Sequence, residues 1–301
     1  MKEHSYGASI ITIISAILLL CYLIFFSSPK EDKKVSVEEI ITEVVPEDRD
    51  KLTEADKCTY VEDAAIIDIG YDTVYDEPAY SMGGGILTIK KGGCYVLTGI
   101  AGQIVVDAGE ETPVQIVLNN SSITSTDGPA IYAPSCSKLI ITANEGSLNT
   151  VSDSAVYKVY RDLAKGCIYS KSNITINGKG ELYIQGNKEA AIYSKDAVKI
   201  VSGTIGITSL GQGIYGEDKV VIYDGDININ STKEGIVSAR TNDPNKGYVS
   251  LKDGTLEISC TDVAVRAVSG IDVVDCDVNI LSAEENYMVA GNSLAIYESE
   301  H

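Results

Sequence analysis

The feature that most constrains the fold of this chain is a short phrase that recurs seven times after residue 129. Each copy has an aliphatic residue at its centre. The residue before the aliphatic residue is small in six copies, and the residue after it is tyrosine in four. The central aliphatic residues are Ile131, Ile168, Ile192, Ile214, Ile236, Val265 and Val289. Two successive gaps, from Ile192 to Ile236, are each 22 residues, which defines the repeating unit. An internal repeat of this length is typical of a solenoid whose repeats stack on one another.

Aliphatic residues also recur at fixed distances behind the phrase. After Ile192 they occur 6, 8, 13 and 15 residues later, and the same four offsets recur in two further copies. After Ile236 all four aliphatic positions lie seven residues later than in those three copies. One loop insertion within 238–248 explains this displacement. A second insertion, around 149–165, accounts for the longest gap of 37 residues. Seven copies therefore share one register.

Each pair of aliphatic residues is separated by one residue, which is the spacing of a strand with one face inward. Three short strands per 22 residues, divided by turns such as Ser202-Gly203-Thr204 and Asp224-Gly225-Asp226, predict an all-β fold, a parallel β-helix. Its coils stack about 4.8 Å apart, so the interior becomes ladders of aliphatic side chains. The absence of Trp, and of Phe outside the N-terminal apolar run, agrees with such a thin core. We place this body at 61–301, with looser first coils at 86–123.

The N-terminal 60 residues have a different composition. After a short tail at 1–6, Gly7–Phe26 holds 20 uncharged residues, which as a helix span about 30 Å, the thickness of a bilayer core. We predict an uncleaved transmembrane helix or signal anchor at 7–27, so that the protein is single-pass and its body lies outside the cytoplasm. Secretion after cleavage of a signal peptide is the alternative. Residues 28–60 are charged and contain proline, which predicts a solvated stalk.

Charge and histidine content exclude several classes of function. The net charge of −19 repels nucleic acid, so we expect no nucleic-acid partner. The histidines are His4 and His301, at opposite ends of the chain, which excludes a Ser-His-Asp or Cys-His catalytic site and a histidine zinc site within the body. Six cysteines follow the apolar run at positions 58, 94, 136, 167, 260 and 276. Their even number permits disulfides, but their irregular spacing favours small buried thiols.

Five stretches of sequence carry a resemblance to a known family. They are Leu87–Gly99, Gly102–Ala108, Ser125–Tyr132, Ile192–Asp196 and Lys246–Val249. Their order and spacing resemble those of bacterial carbohydrate-binding proteins with a polysaccharide-lyase-like β-helix, over about residues 85–297. The resemblance implies a cell-surface protein that binds cellulose, polygalacturonate or other acidic or plant cell-wall polysaccharides, and that carries calcium.

The acidic positions of this family are retained only in part. Two residues before the aliphatic position the family commonly has Asp, and here Glu234 alone keeps a carboxylate. Four residues after that position, Asp196 and Asp218 keep the acid of the family. Together with Asn242 and Asp243 of the insertion they are the candidate ligands for Ca²⁺, which needs 6–8 oxygen ligands. The alternative is that they are solvated surface charges.

Four tyrosines follow the inward aliphatic residue of the phrase. They are Tyr132, Tyr169, Tyr193 and Tyr215, which the alternation of a strand directs outward in successive coils. A row of exposed rings can bind the apolar faces of sugars, and its hydroxyls can form hydrogen bonds with them. The alternative is a self-stacking ladder that stiffens the sheet.

Catalysis has little support in the sequence. An eliminase needs a base that removes a proton beside a cation that neutralises charge. The arginines of the body are Arg161, Arg240 and Arg266, and none belongs to a recognisable acid–base motif. We therefore expect a non-catalytic polysaccharide-binding protein. A structural or adhesive solenoid without glycan binding, or a polysaccharide lyase, remains as the alternative.

Overall fold

The computed structural model describes residues 50–57, 63–160, 163–283 and 287–297. These residues form one short helix, α1 (Glu54–Lys57), and a stack of β-strands. The predicted tail at 1–6, the predicted anchor at 7–27 and the stalk before residue 50 lie outside the described residues. Within the described ranges no helix is long and apolar enough to cross a membrane.

Each coil contributes one strand to each of three faces, which we call sheets I, II and III. Sheet I contains β2 (Tyr75–Asp76), β3 (Tyr80–Gly83), β4 (Ile86–Ile89), β6 (Gln103–Asp107), β8 (Ile131–Ser135), β11 (Gly166–Ser170), β14 (Ala190–Ser194), β17 (Ile214–Gly216), β20 (Ile236–Ser238), β23 (Val265–Ala267) and β26 (Met288–Ala290). Sheet II contains β1 (Ala65–Ile69), β9 (Lys138–Ala143), β12 (Asn173–Gly178), β15 (Ala197–Ile200), β18 (Lys219–Ile222), β21 (Tyr248–Leu251), β24 (Gly270–Val274) and β27 (Ser293–Tyr297). Sheet III contains β10 (Leu148–Ser152), β13 (Glu181–Gly186), β16 (Thr204–Ser209), β19 (Asp226–Ser231), β22 (Thr255–Cys260) and β25 (Asp277–Ser282). The long strands β5 (Gly93–Ala101) and β7 (Val114–Thr124) connect sheets II and III.

The repeat in the sequence is the coil of the structure. Parallel pairing in register stacks the aliphatic residues Ile131, Ile168, Ile192, Ile214, Ile236 and Val265, all of which are fully buried. The four offsets fall on inward positions, Val198 and Ile200 in β15 and Ile205 and Ile207 in β16. Only the first hairpins, β2 with β3 and β3 with β4, are antiparallel among the described pairs. The predicted all-β parallel solenoid is therefore confirmed.

Two details of the register differ from the prediction. Val265 pairs with Met288, so that Met288 and not Val289 occupies the aliphatic row in β26. The first insertion also begins later than expected, because β10 is a regular strand of sheet III that pairs with β13. The extra residues lie between Ser152 and Gly166, whereas the second insertion lies between β20 and β21, as predicted.

Three of the five described cysteines are buried thiols, as predicted, whereas Cys94 and Cys276 are only partly buried. Cys136, Cys167 and Cys260 are buried and form no disulfide. Burial raises the pKa of the Cys167 thiol well above its ordinary value. Cys58 lies outside the described residues.

The described end of the predicted stalk lies against sheet II. Asp56, in α1, is completely buried. Its Oδ1 accepts hydrogen bonds from Lys138 Nζ at 2.7 Å and from Thr175 Oγ1 at 2.7 Å. Its Oδ2 lies 3.2 Å from Lys199 Nζ. One carboxylate therefore binds side chains from three successive coils.

Asp50 makes a second attachment of the same kind. Its Oδ1 lies 2.8 Å from Lys219 Nζ and accepts a hydrogen bond from the Tyr248 hydroxyl at 2.5 Å. The hydroxyl of Tyr223 donates to the Asp50 carbonyl oxygen. Residues 50–57, which we call the strap, thus contact β9, β12, β15, β18 and β21. A solvated stalk is predicted for these residues, but both aspartates are buried because their carboxylates pair with lysine side chains of sheet II.

Candidate functional site

The four tyrosines of the phrase form one continuous stack on the outside of sheet I. Pairing in register sets Tyr132, Tyr169, Tyr193 and Tyr215 above one another in β8, β11, β14 and β17. Successive ring centroids are 5.7, 5.7 and 4.5 Å apart, and the last two rings are within 3° of parallel. The stack is separate from the aliphatic core, as the alternation of the strands predicts. We call it the tyrosine row.

The exposure of the tyrosine row differs from the sequence expectation. Tyr132, Tyr169 and Tyr193 are 9%, 1% and 6% exposed, and only Tyr215 is half-buried. The cause is the first insertion, whose residues Tyr157, Tyr160 and Ala164 cluster with the row. The Tyr160 ring packs edge-on against Tyr132 with centroids 5.0 Å apart. Among the described residues of the row, Tyr215 therefore has the ring with the most open surface.

A buried carboxylate attaches the insertion to the coils. Asp153 is 3% exposed, and its Oδ2 accepts a hydrogen bond from the Tyr157 hydroxyl at 2.5 Å. Its Oδ1 accepts one from the backbone N–H of Asn187 at 2.5 Å. Burial raises the pKa of Asp153 to about 6, although these hydrogen bonds oppose the shift. Burial and the neighbouring Asp153 also raise the pKa of Tyr157, so its hydroxyl remains a donor.

We expect the contribution of Asp153 to the free energy of unfolding to fall by about 3 kcal/mol in total as the pH rises from about 3 to about 7. The folded-state pKa of Asp153 lies above its unfolded value, so the native state binds a proton that the unfolded state releases over this interval. The group's contribution is complete below the unfolded pKa and is lost as the pH rises through the folded pKa. Urea unfolding across this range should show the slope in the wild type and not in Asp153→Asn. The exposed acid Glu145 provides the control, and an unchanged slope in Asp153→Asn would contradict the assignment.

A cluster of opposite charges lies beside the open end of the row. Asp218 Oδ1 lies 2.7 Å from Arg240 Nε, and its Oδ2 lies 2.7 Å from Lys246 Nζ. The guanidinium of Arg240 also lies 3.3 Å from Glu217 Oε2. Burial and the charge of Asp218 raise the pKa of Asp196 in the preceding coil. The insertion between β20 and β21 therefore supplies both of the cations that neutralise this acidic cluster.

The arrangement does not fit a calcium site at the predicted ligands. Both carboxylate oxygens of Asp218 are bound to cations, and Glu234 lies 3.2 Å from the guanidinium of Arg266. Asp243 accepts a hydrogen bond from the backbone of its own loop, and Asn242 lines a cleft together with Glu217 and Arg240. Among the residues that the structure describes, no three His, Cys, Asp or Glu side chains are grouped to hold one metal ion.

Two open clefts lie on the surface near these residues. The first has a volume of about 250 Å³ and is lined by Tyr215, Glu217, Ala239, Arg240, Thr241 and Asn242. It joins one ring of the tyrosine row to a carboxylate, a guanidinium and an amide. The second, of about 320 Å³, contains Asp196 together with Glu110 and Lys171. The structure thus brings Tyr215 and Asn242 of the predicted site together and places Asp196 in a different cleft.

Sequence reasoning missed the residues that decide access to the row. Tyr157 and Tyr160 belong to the insertion and follow no repeat, so the register gives them no position. Their aromatic character, in an insertion next to a predicted tyrosine row, was the signal that could have found them. Arg161, one of the three arginines of the body, lies outside the described residues.

Three comparisons with known proteins agree with one another. A family model described as carbohydrate-binding domain-containing protein matches residues 83–299. A protein of Acetivibrio thermocellus with the same description is 39% identical over 197 residues, which is 64% of this chain and 69% of that protein. The solved structure of a polysaccharide lyase-like protein from C. thermocellum, a gadolinium derivative, matches with a TM-score of 0.73 and 29% identity. That match covers 79% of this chain and 99% of the other.

Proposed function

Because this chain belongs to the family of carbohydrate-binding domain-containing proteins, we propose that it binds polysaccharide without cleaving it. The family match extends over almost the whole stack of coils, as the resemblance found in the sequence implies. The observation that supports a specific binding site is the cleft beside Tyr215. A ring for the apolar face of a sugar there adjoins Glu217, Arg240 and Asn242, which can form hydrogen bonds with hydroxyl groups.

The arginines support binding rather than elimination. A base must lose its own proton before it can remove one from a sugar. The hydrogen bond from Arg240 to Asp218 raises the pKa of this guanidinium above its ordinary value. Arg266 is paired with Glu234 at 3.2 Å. Both side chains are therefore suited to binding a carboxylate or hydroxyl group as cations and poorly suited to accepting a proton.

The proposed ligands are acidic or plant cell-wall polysaccharides. Each cleft offers one cation that can pair with the carboxylate of an acidic sugar, Arg240 in the first and Lys171 in the second, beside carboxylates of the chain itself. We further propose that the anchor predicted at 7–27 holds the coils outside the cytoplasmic membrane, where such polymers occur. The contacts of Asp218 and Glu234 oppose a role for calcium at these residues.

Retention of the full-length protein on polysaccharides tests the proposal. We expect the wild type to be retained on insoluble cellulose or on immobilised polygalacturonate, with or without a calcium chelator. Tyr215→Ala should weaken retention about threefold to tenfold on the polymer that uses the cleft, because one ring contact is lost.

Two outcomes would contradict this function. Retention on no polysaccharide would favour the structural or adhesive solenoid. Release of unsaturated sugar products, measured by their ultraviolet absorbance in the presence of Ca²⁺, would instead identify a lyase. Circular dichroism of the Tyr215→Ala protein provides the control for folding.

A further inference from the structure

The outer face of sheet III presents three parallel rows of side chains. Inward and outward residues alternate along β13, β16, β19 and β22, and the strands pair in register. The first row contains Glu181, Thr204, Asp226 and Thr255. The second contains Tyr183, Gly206, Asn228 and Glu257. The third contains Gln185, Thr208, Asn230 and Ser259. We call these twelve residues the sheet III face.

One aromatic ring lies within this polar surface. Tyr183 is 44% exposed, and its ring covers Gly206 in the next coil. A Cβ atom added to Gly206 would lie only 2.6 Å from Tyr183 Cδ1 and 2.9 Å from Cε1. The Tyr183 hydroxyl donates to Glu181 Oε2 at 2.9 Å, which fixes the orientation of the ring. The ring thus rests on the sheet on one side and remains open to a ligand on the other.

Polar side chains two and three coils beyond the ring are held in place by one another. Asn228 Nδ2 donates to Glu257 Oε2 at 2.9 Å, and Thr255 Oγ1 donates to Asp226 Oδ1 at 2.9 Å. Such bonds between coils fix the donors and acceptors before a ligand arrives, which lowers the entropy lost on binding. The rows repeat about every 4.8 Å along the stack, so the surface offers similar groups at regular steps. A surface with a regular repeat along the stack suits an extended polymer better than a small molecule.

The negative charge of the sheet III face favours a neutral polysaccharide over an acidic one. Its charged members are Glu181, Asp226 and Glu257, and its three rows contain neither lysine nor arginine. An acidic polysaccharide would be repelled by these carboxylates, whereas the hydroxyl groups of a neutral sugar can donate hydrogen bonds to them.

We propose that the sheet III face binds an extended neutral polysaccharide, with Tyr183 as the stacking platform. The proposal rests on the polysaccharide binding proposed above and adds a second surface with a different ligand class from the cleft beside Tyr215. Tyr183 supplies the apolar contact to the face of a sugar ring. The amides and carboxylates on either side bind its equatorial hydroxyl groups.

A purely structural role of Tyr183 would be to cover Gly206. The chain contains a matched case of that role. Tyr71 is 51% exposed, and its Cδ1 atom would lie 2.5 Å from a Cβ atom on Gly85, so it covers a glycine in the same way. Tyr71 is not part of the sheet III face. The variant Tyr71→Ala therefore removes an exposed ring from a glycine without touching the proposed surface.

Binding of the full-length protein to soluble hydroxyethyl cellulose and to polygalacturonate tests the proposal. We expect Tyr183→Ala to weaken binding to the neutral polymer about threefold to tenfold and to leave binding to polygalacturonate unchanged. Tyr183→Phe keeps the ring and should bind the neutral polymer within twofold of the wild type, as should Tyr71→Ala. If Tyr183→Ala does not fold, Asn230→Val decides, because it removes an exposed amide of the third row and keeps a residue that favours strands.

The outcomes separate this proposal from the function on which it rests. If the wild type binds neither polymer, both are overturned. If the wild type binds polygalacturonate only, or if folded Tyr183→Ala binds the neutral polymer as the wild type does, the sheet III face is overturned and polysaccharide binding stands. Equal losses in Tyr183→Ala and Tyr71→Ala would also overturn it, because covering a glycine would then be the common cause.

Discussion

Replacing Asp56 by alanine should lower the free energy of unfolding by about 3–5 kcal/mol. Asp56 is completely buried and neutralises Lys138 and Lys199, whose side chains are only 18% and 12% exposed. Removal of the carboxylate leaves the largely buried ammonium groups of Lys138 and Lys199 without their counterion. The cost of this uncompensated charge accounts for most of the expected loss of stability. The change also frees the strap from three coils. Urea unfolding of the full-length protein near neutral pH measures the effect.

The pH dependence of this contribution has a defined direction. Burial by itself raises the pKa of Asp56, but the hydrogen bonds from Lys138 and Thr175 outweigh burial and hold the pKa well below its ordinary value. The stabilisation is therefore complete above the unfolded pKa of about 3.9 and is lost as the pH falls towards the lower folded value. Wild type and Asp56→Ala should accordingly converge in stability only in strong acid.

An exposed ion pair supplies the control for the strap. Lys90 and Asp76 lie 3.5 Å apart, but Asp76 is 91% exposed. Pairs of this kind contribute little, so Asp76→Ala should leave the unfolding midpoint almost unchanged. If Asp56→Ala is as mild as Asp76→Ala, the strap is not docked on sheet II in solution.

The coils could be predicted from the sequence because their signal is local. Inward positions such as Ile192, Val198 and Ile205 recur at fixed offsets. Because successive side chains of a strand point to opposite faces, these positions also determine which side chains face outward. The strap gave no such signal. Asp50 and Asp56 resemble any solvated aspartate in a charged segment, and the bonds that bury them join residues 82 to 198 positions apart.

In the candidate site too, residues that follow the repeat could be predicted and residues outside it could not. Asp218 is a metal-ligand candidate through the resemblance to the family, but Arg240 and Lys246, from an insertion that does not follow the repeat, bind its oxygens. Tyr183 was missed because it does not follow the recurring phrase. Its signal was an outward tyrosine with a glycine, Gly206, at the same position one coil later. Recognition of that pairing requires the register to be known first.

Replacing Tyr169 by alanine should destabilise the protein by about 3–5 kcal/mol and leave polysaccharide binding unchanged. Tyr169 is 1% exposed and lies between Tyr132 and Tyr193, with both centroids 5.7 Å away. Its removal opens a cavity in the tyrosine row that the paired strands on either side cannot close. Thermal and urea unfolding measure the loss, and retention on polysaccharide is measured at a temperature where the variant is folded.

Tyr215→Ala is the matched variant, because Tyr215 occupies the same register at the open end of the row. Its ring is half-buried and stacks on one tyrosine, Tyr193, so its loss should cost less stability while it weakens binding in the cleft. The two interpretations of the row then apply to different members, a stiffening ladder at Tyr169 and a sugar contact at Tyr215. Weakened binding in a Tyr169→Ala protein of unchanged stability would contradict this division, since a ring covered by the insertion can affect a sugar only through the fold.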